Sequence, residues 1–361
     1  MPTVFFAYRD APDRRAALRT LGALDRYRLF GLDEVRARGA TVRHNLERPT
    51  PLWARAVAAL VNPALRLSGG YGGDFASSLA SLRLANDADV VFATADSLGL
   101  PLLLLKRAGL LRSPVVYTPI GLPERLEYVR RRRLYADALR SARTIVTYSR
   151  AEAEWLRRWI GNDAPEIVFV PFGVDVDLFA PVESDPQVDV VSVGADPRRD
   201  FRLLMKVAAR HPELSFRIVT TQEHLQELGA LPGNVSTETE LALEAVRDRL
   251  RSARVVALPV RRNSYSGATT VLLQAMAVAK PVVVSHTDAV ADGYALEDGV
   301  NCRLVEPGNA DAFEQALLAT LAEPGRLGVE ARDTVMQHFT WERYTAALWE
   351  ILSAAWARDP S

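Results

Sequence analysis

The chain has 361 residues, with 44 Lys and Arg against 44 Asp and Glu, so its formal net charge is zero. Hydrophobic residues make up 48% and charged residues 24%. That balance excludes disorder as the dominant state and excludes whole-chain attraction to nucleic acid or anionic membrane. Cys302 is the one cysteine, which excludes an internal disulfide and any zinc site built on several thiolates.

In chain order, an apolar run from Val4 to Tyr8 is interrupted by Arg9 and Asp10. It reads as a buried first strand and is too short for a signal-peptide core, so the expected location is cytoplasmic. Strands are expected over 3–8, 41–43, 90–93, 115–118, 144–148 and 167–170, then over 188–193, 215–220, 255–259, 282–285 and 302–305. Helices are expected over 13–38, 125–141, 150–160, 200–210, 240–252, 269–279, 310–321 and 341–357. Ser149 and Asn309 stand where N-caps belong. The alternation predicts an α/β chain of open parallel sheets covered by helices. A segment over 171–187, rich in Pro and acids, separates two such halves.

The loops at strand carboxyl ends are where such sheets bind ligands. In the first half these hold Tyr8, Arg9 and Asp10, then Asp96, the candidate acceptor-side carboxylate. A glycine cluster that includes Gly70 and Gly72 is a candidate cleft lining or a plain connection. In the second half, Gly194-Ala195-Asp196-Pro197-Arg198-Arg199 precedes a helix, and either a phosphate-binding pair or a solvated basic turn fits Arg198 and Arg199. The sharpest segment is Asn263, Tyr265, Ser266, Gly267, Ala268, Thr269 and Thr270, running into Leu272-Leu273-Gln274-Ala275-Met276-Ala277. Gly267 permits close backbone approach, and the amides after it form a helix N-terminus suited to phosphate; an ordinary strand–loop–helix corner is the plainer alternative. The five histidines lack metal-ligand spacing, so no metal is expected. Arginine is 41 of the 44 cationic residues, and the run Arg130 to Arg133 marks 125–143 as a candidate for weak peripheral membrane contact, against the alternative of a solvated face paired with Glu124, Glu127 and Asp137.

The motif Leu272–Ala277 with Lys280-Pro281-Val282-Val283 resembles the nucleotide-binding half of the retaining glycosyltransferases of GT-B fold, specifically glycosyltransferase family 4 (glycosyl transferases group 1). Pro171-Phe172-Gly173-Val174-Asp175, Glu297-Asp298-Gly299-Val300-Asn301 with Leu304-Val305, and Phe339-Thr340-Trp341 resemble further family segments. The resemblance implies two facing Rossmann-like domains: 1–178 for the acceptor and 179–340 for a UDP- or GDP-linked sugar, with a helix over 341–361 returning to the first domain. It implies retention of anomeric configuration, an acceptor that is a small molecule, a lipid-linked sugar or a glycan, and no cofactor. It also implies donor contacts at Gly194 and along 263–274, with leaving-group stabilisation by Arg198 and Arg199.

The departures from the family are specific. Its two glutamates are replaced by Ser266 and Gln274, its loop arginine by Ala195, and its histidine after the strand at 115–118 is missing, because Thr118-Pro119-Ile120-Gly121 follows. Gln274 keeps an acceptor oxygen but no charge. These losses leave two further readings open: a non-catalytic relative that binds nucleotide or serves as a scaffold, and a sugar-nucleotide epimerase.

Overall fold

The computed structural model describes residues 1–20, 22, 26–67, 73–127, 129–263, 265 and 267–357. The chain forms two compact units, one of Met1–Val170 with the end of the chain from Thr345, the other of Pro171–Tyr344. The expected boundaries at 178 and 340 thus differ by several residues. The 171–187 segment begins inside the second unit: Val174 bridges Thr340, and a Cβ on Gly173 would lie 2.7 Å from the Thr340 carbonyl oxygen.

The first unit contains β1 (Thr3–Ala7), α1 (Pro12–Thr20), α2 (Arg26–Leu29), α3 (Leu32–Ala37), β2 (Thr41–His44), α4 (Leu52–Leu67), α5 (Phe75–Asn86) and β3 (Val90–Ala93). It continues with α6 (Asp96–Arg107), β4 (Val115–Tyr117), α7 (Leu122–Leu126), α8 (Arg132–Arg140), β5 (Thr144–Thr147), α9 (Arg150–Ile160) and β6 (Glu166–Phe169). All strands pair in parallel, in the order β2-β1-β3-β4-β5-β6. β1, β3, β4 and β5 are buried on both faces, as their near-continuous apolar runs require.

The second unit contains β7 (Val188–Val193), α10 (Phe201–Arg210), β8 (Phe216–Thr220), α11 (Gln222–Leu228), β9 (Val235–Thr239), α12 (Leu243–Arg251), β10 (Ala253–Leu258) and α13 (Thr269–Ala277). After these come β11 (Val282–Ser285), α14 (Asp288–Ala291), β12 (Arg303–Val305), α15 (Ala310–Ala322), α16 (Leu327–His338) and α17 (Trp341–Ala357), whose later residues count with the first unit. This sheet is also parallel throughout. Counted from β7 as the first strand, its order is 3-2-1-4-5-6, the dinucleotide-fold order that leaves a crevice between the first and fourth strands. Among the described residues, no helix is long and apolar enough to cross a membrane.

Two expected helices are divided, and six helices (α4, α5, α6, α11, α14 and α16) and one strand stand where none was expected. The single helix over 13–38 is three, with Gly31 left-handed at φ 84° directly before α3. The helix over 125–141 is α7 and α8, because four successive arginines oppose the positive end of a helix dipole and α8 starts only at Arg132. Its apolar residues Tyr135, Ala138 and Leu139 are buried while Arg130 to Arg133 are exposed. The unexpected strand is β9, a partly buried edge strand reading Val-Ser-Thr-Glu-Thr, which has no apolar run to announce it.

Candidate functional site

In the second unit the crevice lies between the ends of β7 and β10, and the loops leaving both strands are bound side by side. Arg199 bridges Val260, the Asp200 amide donates to the Pro259 carbonyl at 2.9 Å, and the Arg261 amide donates to the Arg198 carbonyl at 2.8 Å. This pairing sets the segment around Gly194 against the segment leading to α13.

Arg199 is 2% exposed. Its Nη2 donates to Ser192 Oγ at 2.9 Å and its guanidinium carbon lies 5.4 Å from the Phe201 ring centroid, while Nε and Nη1 are buried with no hydrogen-bond partner. The side chain fits because Gly194 has no Cβ: one would lie 2.8 Å from Arg199 Nε. Burial lowers its pKa to about 10, with the Asp196 charge opposing that shift, so the guanidinium stays charged at neutral pH. The arginine expected to fork openly onto phosphate is therefore tucked under the strand end, with the N–H bonds of Nε and Nη1 unused. Arg198 is half-buried beside it.

α13 begins at Thr269 with Ala268 as N-cap residue and no side-chain cap. Its first amides therefore keep the partial positive charge of a helix start. Thr269 is 1% exposed with Oγ1 unpartnered, and Asn263 is 9% exposed with Oδ1 unpartnered. Gln274 is buried further along the same helix, and Thr270 is exposed. Ser266 lies outside the described residues.

Asp196, which the motif reading passed over, joins the two loops. Its Oδ1 accepts from Tyr265 Oη at 2.9 Å and from the Arg198 amide at 2.8 Å. Its carboxylate would lie 2.7 Å from a Cβ on Gly267, so a larger residue there would have to displace the carboxylate from its place. A cavity of 350 Å³ opens beside Gly194 and Ala195 at the ends of β7, β8 and β9, bounded by Thr220, Glu240, Leu241 and Val271. The strand-end rule could have found it in the sequence, had β9 been recognised.

At the corresponding end of the first unit the carboxylates are bonded internally, while Ser97 Oγ and Thr118 Oγ1 are buried there without partners. Asp96, at the start of α6, is 4% exposed. It accepts from Tyr117 Oη at 2.5 Å and from the Ile120 amide at 3.2 Å, and pairs with Arg125 Nε at 3.1 Å. Burial raises its pKa, against the lowering by Tyr117 and Arg125. Asp96 is thus a tether for the 118–125 segment, not a carboxylate open to an acceptor. Glu152, fully inside, accepts from the Leu122 amide at 3.2 Å; burial first and the Asp96 charge second push its carboxyl well above the usual range. Tyr8 is also internal: its Oη donates to the Leu29 carbonyl at 2.6 Å and its backbone pairs with Asn45, so it does not face an acceptor.

Arg9 is exposed. Asp10, held below the usual carboxylate range by Arg15, borders a 290 Å³ cavity with Asn45, Arg48, Pro51 and Ser77. Gly70 and Gly72 lie outside the described residues. Among the described residues, no group of three or more His, Cys, Asp or Glu is placed to hold a metal.

Comparison with known proteins fits both halves. Residues 188–323 match the profile of glycosyl transferases group 1, and residues 34–178 match that of glycosyltransferase family 4. The chain belongs to the family 4 type of GT-B glycosyltransferases. This family 4 chain is 28% identical over 229 residues to an MMP α-(1→4)-mannosyltransferase of Mycolicibacterium hassiacum, covering 59% of the chain and 54% of that protein. It is 30% identical over 257 residues to a D-inositol 3-phosphate glycosyltransferase of Xylanimonas cellulosilytica, covering 60% and 58%. The alignments thus span little more than half the length of these curated relatives. In fold it is similar to the sucrose-phosphate synthase of Thermosynechococcus elongatus, with TM-score 0.76 at 17% identity over 99% of this chain and 100% of that one. It is also similar to Anabaena HepE solved with UDP-glucose, with TM-score 0.72 at 16% identity over 98% and 100%.

Proposed function

We propose that this family 4 chain transfers a hexosyl group from a nucleoside-diphosphate sugar, UDP- or GDP-linked, to an acceptor hydroxyl with retention of configuration and without a metal. The observation that carries the reading is the buried, charged Arg199 with two unpartnered nitrogens, Nε and Nη1, at the crevice of a dinucleotide-order sheet. A buried cation that is incompletely bonded is costly unless an anion compensates it. The diphosphate would be held by Arg199 and the uncapped start of α13, with Arg198 near it. The base and ribose would occupy the 350 Å³ cavity at β7–β9, and Gln274 would keep one ribose contact. As the anomeric C–O bond breaks, the electron pair leaves on the phosphate oxygen, where fixed positive charge stabilises it, while the acceptor oxygen bonds the anomeric carbon and its proton passes to the departing phosphate. The acceptor would enter at the first unit, where Asp10 and Arg48 border the 290 Å³ cavity.

A second reading, a nucleotide-binding relative without turnover, is favoured by Asp196. Its carboxylate stands against Gly267, beside the turn where phosphate would be received. Thermal shift against UDP-, GDP- and TDP-sugars, followed by donor hydrolysis and transfer assays, separates the two. Stabilisation by one nucleotide series with turnover is expected. Stabilisation without turnover supports the second reading, and no stabilisation by any nucleotide refutes both.

A further inference from the structure

α4 carries an apolar strip on its outside. Leu52 and Leu60 are 81% and 79% exposed, and Trp53, Val57 and Leu67 are exposed with them. At about 100° per residue these five side chains fall within an arc of about 140°. Ala56, Pro63 and Ala64, also exposed, lie inside the same arc. The opposite side, Ala54, Ala58 and Leu65, is buried in the core of the first unit. The other large apolar side chains that reach solvent, such as Leu110, Val182 and Val329, stand on separate elements. Scattered exposure of that kind is ordinary; a continuous strip along one helix is not.

Charge identifies the occupant. α4 contains no acidic residue, and its only ionic side chains, Arg55 and Arg66, are exposed on one flank of the strip. Among the described residues neither has an acidic partner. Arg48 stands exposed just before the helix, also without one. A strip edged by unpaired guanidinium groups, with a tryptophan at one end, matches a helix lying in the headgroup region of an anionic bilayer. A second copy of the chain fits less well. The strip is about 24 Å long and about 10 Å wide, far below the roughly 800 Å² per partner of a stable dimer.

We propose that α4 is an interfacial helix that seats the first unit on an anionic lipid surface, with Leu52, Trp53, Val57, Leu60 and Leu67 entering the acyl boundary and Arg55 and Arg66 at the phosphates. The 290 Å³ cavity bordered by Asp10 and Arg48 reaches Pro51, the residue before this helix. An acceptor carried by a lipid would meet the protein at that end. The proposal stands on exposure and charge alone and does not depend on glycosyl transfer.

The test is flotation of the full chain with vesicles of phosphatidylcholine, with and without phosphatidylglycerol. The unaltered chain is expected to float with the anionic vesicles. Leu52→Glu with Leu60→Glu should weaken binding by at least about tenfold. Arg55→Glu with Arg66→Glu should weaken binding to the anionic vesicles by about fivefold per arginine while leaving phosphatidylcholine binding unchanged. Leu110→Glu, on an exposed leucine elsewhere, should change nothing, and all variants should keep the parent Tm. Failure of the unaltered chain to float, or equal flotation of Leu52→Glu/Leu60→Glu, overturns the proposal. So does a dimer in solution that this double variant dissociates while no form binds lipid, since a second copy would then be the occupant.

Discussion

The two units present the same kind of corner with different charged groups: a buried arginine left open in the second, buried carboxylates bonded internally in the first. At the crevice of the second unit, Arg199 has two buried nitrogens without partners, and Thr269 and Asn263 each have an unpartnered oxygen. In the first unit, Asp96 is filled by Tyr117, Ile120 and Arg125, and the Glu152 carboxyl takes up the Leu122 amide. Buried polar groups normally find partners inside the protein. Both corners leave a buried hydroxyl open, Ser97 and Thr118 in the first unit and Thr269 in the second, but the second also leaves the donors of a buried guanidinium open, as a ligand anion would need, while the carboxylates of the first hold their own loop.

The comparison breaks first at Gly99. A Cβ there would lie 2.2 Å from the Tyr117 ring, so Gly99→Ala should displace the tyrosine from Asp96. It should destabilise the first unit by about 1–3 kcal/mol, read by urea unfolding, and leave nucleotide affinity of the second unit unchanged. A parallel loss of nucleotide affinity would show that the two corners are not independent.

Glu152 gives a pH signature. Its carboxyl is raised above the ordinary 4.5 by burial and by Asp96, so the neutral form is the one the fold prefers. The stability it contributes is complete below about pH 4.5 and declines as pH rises toward its raised native value. Glu152→Gln should therefore match the parent at pH 4 and exceed it at pH 7, by about 2–4 °C in Tm if the gain is 1 kcal/mol. A difference that shrinks with rising pH would contradict the assignment.

Asp196 sharpens the open corner. Its negative charge stands beside Gly267, where phosphate would be received. Asp196→Asn keeps an acceptor for Tyr265 and should tighten nucleoside diphosphate about fivefold, the effect of about 1 kcal/mol of relieved repulsion, measured by calorimetry. Weaker binding would instead give the carboxylate a supporting role.

What the sequence disclosed follows the range of the interactions. Runs such as Val282–Val284 and Val90–Ala93 are legible because burial on both faces demands unbroken apolar stretches. Gly267 and the start of α13 were legible because a strand, a polar loop and a helix follow one another locally. β9 was not, since a half-buried edge strand needs no such run, and α4 was not, because its outside is as apolar as its inside. Contacts such as Asp196 with Tyr265, 69 residues apart, or Glu152 with Leu122, 30 apart, are set by the sheet order and leave no local trace. Arg199 was found as a phosphate candidate, but its burial beneath Gly194 depends on the same long-range packing.

The account rests on Arg199 as an anion partner, and calorimetric titration of the parent and Arg199→Met with UDP, GDP and their free nucleosides tests it most directly. Loss of charge-assisted bonds of about 1.5–3 kcal/mol should weaken diphosphate binding about 10- to 150-fold and leave the nucleoside unchanged. The unliganded variant should be at least as stable as the parent, because a buried and incompletely paired charge has been removed. Equal weakening of diphosphate and nucleoside would contradict the assignment.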